Sequence, residues 1–256
     1  MDCWHLTFAA SGRRTLTEGE PARRATVRAI CRIARGDAPL FSVVDDHLHV
    51  VVAGDRARAG RLAGDLARGL RAVLSTEIEP ARIRRVEGRS HLESLVDYVH
   101  RQGRHHGTGE DAVLGSGSSW PDIVGARVLA GFDPDRLLAL LPRWRREDVL
   151  EKGRGRRSLA PPDLGRVDLG RIVGAAAFAS GIGTTVGGRS PTVVAARAVV
   201  VRLARQAGYG TSAIALSMPL PVRTAQDLAH HPVDARLLQA TLNRLAIEEA
   251  CLRDRR

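Results

Sequence analysis

Between Phe41 and Gly54 the chain runs through two apolar segments separated by Asp45 and Asp46, and the second segment carries His47 and His49. This stretch constrains the fold more than any other. β-branched runs bounded by a short acidic interruption read as two strands. Strand side chains alternate between faces, so His47 and His49 share one face while Leu48, Val50 and Val52 share the other. Two imidazoles on a strand of valine and leucine are costly to bury alone. Either they bind a metal, or each finds an ordinary hydrogen-bond partner.

The flanking sequence predicts how that strand pair is housed. Residues 3–10 read as a first strand ending at the Ser11-Gly12 turn, with Arg13 and Arg14 in the following loop as candidate DNA contacts. Pro21 opens a helix in which Val27, Ile30, Ile33 and Ala34 recur at helical spacing until Gly36. Asp55 is the expected N-cap of a second helix with Leu62, Leu66, Leu70 and Leu74 on one stripe. A short fourth strand is expected over 81–86. Ser90 then caps a third helix bearing Leu92, Leu95, Val96 and Val99. The first six elements predict an α+β, ferredoxin-like antiparallel sheet with helices on one face, to which the third helix is an addition.

Residues 103–119, rich in glycine, histidine and serine, read as an exposed loop. Beyond them the alternating pattern gives way to helical segments at 134–150, 168–180, 191–207, 211–217, 221–230 and 233–252. The chain therefore divides into a first domain over 1–125 and an all-α domain over 126–256. Glu151 to Ser158 reads as a basic surface linker.

Composition narrows the partner. The formal net charge of +11 favours a polyanion, nucleic acid first and an anionic membrane surface second. Lys152 is the sole lysine, a bias toward arginine that coding preference can produce, but such bias leaves the excess of 39 basic over 28 acidic residues unexplained. With aromatics at only 4%, a broad base-stacking platform is excluded. Cys3, Cys31 and Cys251 are too dispersed for a disulfide framework or a zinc ribbon. There is no signal-peptide pattern, and the uncharged run from Ile172 to Gly188 falls short of the roughly 20 residues a spanning helix needs. A cytoplasmic, nucleoid-associated protein is expected.

Tyr98 sits on the third helix, and Gln102 follows one turn later on the same side. A divalent cation held by two imidazoles and an amide oxygen keeps positions open for a phosphate oxygen. Polarising that phosphate lets a tyrosine hydroxyl attack phosphorus and form a covalent ester. The plainer alternatives are a core-edge Tyr98 without chemistry and a surface Gln102. His100 is expected to face solvent or DNA. His105 and His106 are competing ligands on a glycine-rich loop that positions metals poorly. Asp46 is placed to orient an imidazole.

Three stretches, Trp4 to Phe8, Asp46 to Val52 and Tyr98 to Gln102, together resemble the single-tyrosine HUH transposases, with the REP-associated tyrosine transposases as the nearest branch. The resemblance covers roughly residues 3–145. It implies an HUH endonuclease fold, His47, His49 and Gln102 as ligands of Mg²⁺ or Mn²⁺, and Tyr98 as the nucleophile. It implies single-stranded DNA beside a hairpin as substrate, a 5′-phosphotyrosine intermediate, and no cofactor beyond the metal. Some relatives exchange the tyrosine across a homodimer, and the sequence leaves open which arrangement holds.

In the second half, a helix over 195–207 precedes a short helix capped by Thr211 and another over 222–228. The run from Arg189 resembles DnaA-type helix-turn-helix regions, which implies that Arg223, Thr224 and Gln226 reach base edges of flanking duplex DNA. A helical bundle with solvated arginines is the alternative. Three functions compete: a DNA-nicking and rejoining enzyme, a domesticated DNA-binding protein that does not cut, and a replication or conjugation nickase with the same chemistry.

Overall fold

The computed structural model describes residues 2–13, 15–105, 113–154 and 158–253, with backbone alone at 13, 103–105, 153 and 154. His106 and Arg14 lie outside the described residues, as do the side chains of Arg13 and His105.

Alternation and helical stripes give β1 (Cys3–Ala9), α1 (Gly19–Ala34), β2 (Leu40–Val43), β3 (His47–Ala53), α2 (Arg56–Leu74), β4 (Arg82–Arg85) and α3 (Gly88–His105). The result is a mixed α/β unit around a four-stranded antiparallel sheet, in the order β2-β3-β1-β4. The register runs from Cys3 opposite Ala53 to Ala9 opposite His47. One face presents Leu6, Phe8, Leu48 and Val50 to Ile30 of α1 and to Leu62, Leu66 and Leu70 of α2. The other packs Cys3, Leu40, Val51 and Ala53 against Leu92, Leu95, Val96 and Val99 of α3. The first two helices thus share one face, as expected, and the added third helix covers the other.

Local chemistry fixes several ends. Asp55 caps α2, its carboxylate accepting the Arg58 amide at 2.6 Å. The α3 helix starts at Gly88, two residues before the expected cap; Ser90 lies inside its first turn, and the His91 ring accepts the Glu87 amide at 3.0 Å. The turn between β2 and β3 is held by the preceding loop, where the Thr17 amide donates to Asp45 O at 3.0 Å and its hydroxyl to Val44 O at 3.1 Å.

The expected exposed loop is overturned for residues 113–119, which are almost entirely buried. Val43 N donates to Gly117 O at 2.8 Å, Ser119 N donates to Phe41 O at 3.0 Å, and the Ser119 hydroxyl accepts from Phe41 N at 3.1 Å. A side chain at Gly117 would stand 2.7 Å from Val43 O, so only glycine permits this approach. The glycine and serine that read as loop are the means by which this segment pairs with β2.

The described chain forms two compact units, residues 1–124 with 129–157, and residues 125–128 with 158–256. The expected second domain over 126–256 therefore loses 129–157 to the sheet unit. Its helices α4 (Trp120–Ile123), α5 (Arg136–Leu140) and α6 (Arg146–Arg154) bury Trp120, Ile123, Leu137 and Val149 in the same cluster as α3. The helix expected over 134–150 is broken at Leu141–Arg145, around Pro142, which has no amide hydrogen to continue the ladder. Gly131, at φ +84° and against the Cys31 carbonyl, fixes the start of this excursion. Lys152, expected in a free linker, pairs with Asp97 at 2.8 Å and sits over the Trp144 ring.

The second unit contains only helices among its described elements: α7 (Leu169–Ala179), α8 (Pro191–Gln206), α9 (Thr211–Ser217), α10 (Val222–Leu228) and α11 (Ala235–Arg253), besides a short 3-10 turn. Ile172, Val199, Leu203, Ile214 and Leu245 form its core. Asp168 and Ser190 cap α7 and α8 with their side chains. Gly210, not Thr211, occupies the cap position of α9, and no side chain caps it. No helix among the described residues is long and apolar enough to cross a membrane.

Candidate active site

The chemistry-bearing residues of the sheet unit gather at one end of the α3-covered face. His49 is 3% exposed, opposite Thr7 in the register, and its ring is bonded on both nitrogens. Its Nδ1 lies 2.9 Å from His5 Nε2, and its Nε2 lies 2.9 Å from His47 Nε2. The Thr7 hydroxyl is more distant from the same Nδ1, at 3.5 Å. His47 Nδ1 in turn meets the Asp46 carboxylate at 2.7 Å. Four side chains therefore form one continuous line, His5–His49–His47–Asp46.

The α3 helix brings Tyr98 to this line, and Gln102 follows one turn later on the same helix. The Tyr98 ring stands edge-on to His49, with centroids 5.2 Å apart, yet Tyr98 remains 48% exposed. Gln102 continues the buried stripe of Leu92, Leu95, Val96 and Val99 and is 2% exposed. Its amide nitrogen donates weakly to Tyr98 O at 3.4 Å, and its Oε1 has no hydrogen-bond partner among the described residues. A buried acceptor left unpaired is unusual and costs free energy.

The electrostatics are one-sided. Burial first, then the Arg84 and His91 charges, pushes the His5 pKa down to about 4, so this imidazole is uncharged near neutral pH. Arg84 and Arg82 are exposed on β4, directly opposite His5 and Thr7 and hence on the histidine face.

No group of three or more His, Cys, Asp or Glu side chains among the described residues forms a metal site. The histidine pair does have the spacing of two adjacent ligands. Two nitrogens bound at right angles to an ion at ~2.1 Å stand roughly 3.0 Å apart, close to the 2.9 Å between the two Nε2 atoms. Gln102 Oε1, which has no partner among the described residues, is a hard oxygen donor of the kind Mg²⁺ and Mn²⁺ take.

No family model and no curated protein matches the chain. Among solved structures it is similar to a REP-associated tyrosine transposase bound to a REP hairpin, at 17% sequence identity and a TM-score of 0.39. The match covers 48% of this chain and 79% of that one.

Of the residues singled out in the sequence, His47, His49, Asp46 and Tyr98 are brought into contact, and Gln102 is buried one turn from Tyr98. His100 is only partly exposed, and its ring packs edge-on against the buried Trp120, with centroids 4.6 Å apart. Arg223, Thr224 and Gln226 belong to the other unit, on α10, where Arg223 and Gln226 are exposed. Sequence reasoning missed His5, Arg82 and Arg84. Alternation puts His5 and Thr7 on one face of their strand, but only the register sets that face beside His49.

Proposed function

We propose that this chain is a metal-dependent, single-stranded DNA nicking and joining enzyme, a single-tyrosine HUH transposase on a ferredoxin-like sheet. The observation that carries the reading is the half-exposed Tyr98 ring set against the buried His49. A structural tyrosine has no need of a histidine pair beneath it, whereas a nucleophile needs both access and a polar floor.

In this reading His47, His49 and Gln102 hold Mg²⁺ or Mn²⁺, which when bound supplies Lewis-acid polarisation of the scissile phosphate. Tyr98 Oη attacks phosphorus. The Oη–P bond forms and the P–O3′ bond breaks, leaving a 5′-phosphotyrosine and a 3′-hydroxyl. The phenolic proton passes to solvent and the departing oxygen takes one up. Arg82 and Arg84 hold phosphates of the incoming strand on the same face. In the helical unit, α9 and α10 serve as a helix-turn-helix, with Arg223, Thr224 and Gln226 toward flanking duplex DNA.

Incubation with labelled hairpin-bearing single strands from the chain's own locus and Mn²⁺ gives a denaturant-stable adduct that Tyr98→Phe abolishes. If the wild type forms no adduct on any such strand, the enzyme reading fails. One observation favours the non-cleaving alternative: both His49 nitrogens already have protein partners. That reading requires salt-dependent DNA binding indifferent to His47→Ala.

A further inference from the structure

A neutral imidazole has one N–H and one lone pair, so each contact along the histidine line dictates the next. The Asp46 carboxylate only accepts, which puts the His47 proton on Nδ1 and leaves a lone pair on its Nε2. The contact between the two Nε2 atoms then requires the His49 proton on Nε2. His49 Nδ1 is left as an acceptor, and the donor that reaches it at 2.9 Å is His5 Nε2–H. Every bond points the same way, from His5 to Asp46. In that arrangement His49 offers no lone pair on the side that faces His47.

We propose that His5 is the positioning residue of this site: the proton on its ring decides whether His47 and His49 bond each other or turn both Nε2 lone pairs to a divalent cation. This rests on the metal-site reading above. For His49 to ligate through Nε2, its proton must move to Nδ1, and that N–H needs an acceptor. His5 Nε2 is in place at 2.9 Å, whereas the Thr7 hydroxyl is more distant at 3.5 Å. His5 can accept only by moving its own proton from Nε2 to Nδ1. One proton shifts on each of two rings, His47 is unchanged, and the line neither gains nor loses a proton. A metal-bound histidine ordinarily donates its second N–H to a carboxylate, carbonyl or water. Here another imidazole fills that role, and because it can donate as well as accept, it also stabilises the empty state.

The test uses the full-length ¹⁵N-labelled protein and long-range ¹H–¹⁵N NMR, with Mg²⁺ as a diamagnetic probe. His5 and His49 should both be Nε2–H without Mg²⁺ and both Nδ1–H at saturation. A His5 that stays Nε2–H at saturation overturns the proposal, and this measurement needs no variant to fold. In parallel, Mn²⁺ affinity is measured by calorimetry. His5→Phe, which keeps a ring but has no nitrogen, should weaken binding about tenfold or more. His5→Gln, whose amide can rotate to donate or accept, should stay near wild type. Binding that is lost in His47→Ala but unchanged in His5→Phe sinks this proposal alone. A wild type with no saturable Mn²⁺ binding sinks the metal-site reading, and this proposal with it.

Discussion

The two faces of the sheet are made by the same strands and differ sharply in what they tolerate. Under α1 and α2 the face is unbroken hydrocarbon, with Leu6, Phe8, Leu48 and Val50 all sealed. Under α3 the face is graded. It is apolar where Cys3 pairs with Ala53 and polar where Thr7 pairs with His49 and Ala9 with His47. One fully dry face supplies enough burial that the other can give up packing at one end to imidazoles. The histidine line sits where the helix cover thins from leucine and valine to Gln102 and the half-exposed Tyr98.

The sharpest way to break this comparison is a pair of aromatic substitutions, one on each side. Phe8→Ala on the dry face should cost about 3–5 kcal/mol in urea denaturation and leave adduct formation by the folded fraction intact. Tyr98→Phe should abolish the adduct while stability moves by no more than about 0.5 kcal/mol. If Phe8→Ala abolished cleavage by folded protein, the two faces would not be separable.

A pH titration of stability is the next largest effect. His5 has a pKa of about 4 in the folded protein, against an ordinary value near 6.5. As pH falls through this window the unfolded chain takes up a proton that folded His5 refuses, so stability drops below about pH 6.5 and levels out below about 4. Between pH 7 and 4.5 the unfolding free energy from urea denaturation should fall more in wild type than in His5→Phe, by about a few kcal/mol at most. Equal slopes in the two proteins would place the burial cost elsewhere.

Asp55→Ala should cost about 1 kcal/mol through the lost α2 cap and leave DNA binding unchanged. Smallest is the effect of the β4 arginines. Arg82→Ala or Arg84→Ala should weaken single-strand binding and lower the salt slope by about one each. An unchanged slope would remove the β4 side of the histidine face from the DNA path.

The parts of this design that were legible from sequence are those written in short-range periodicity. The alternation in 47–53, the leucine stripe of α2 and the Asp55 cap all report on neighbours within a few residues. His5 was spelled out in the chain but its role was not, because it depends on register between strands some forty residues apart. The contact of His100 with Trp120 was not legible, because the helix that carries Trp120 directly follows a segment that composition marks as loop. Residues 129–157 look like the helices that follow them, yet their leucines and valine complete the sheet unit's second core. Composition reports what a helix is made of, not which core receives it.

The segment at 117–119 has a consequence for assembly. By occupying the outer side of β2 it removes one of the sheet's two free rows of backbone donors and acceptors. The other row belongs to β4, a four-residue strand bearing Arg82, Arg84 and Arg85. Short length and like charge both discourage strand addition from another chain. The sheet is thereby guarded against edge-to-edge aggregation at both margins, and a second copy seeking this unit meets the 117–119 segment at one margin and a cationic rim at the other.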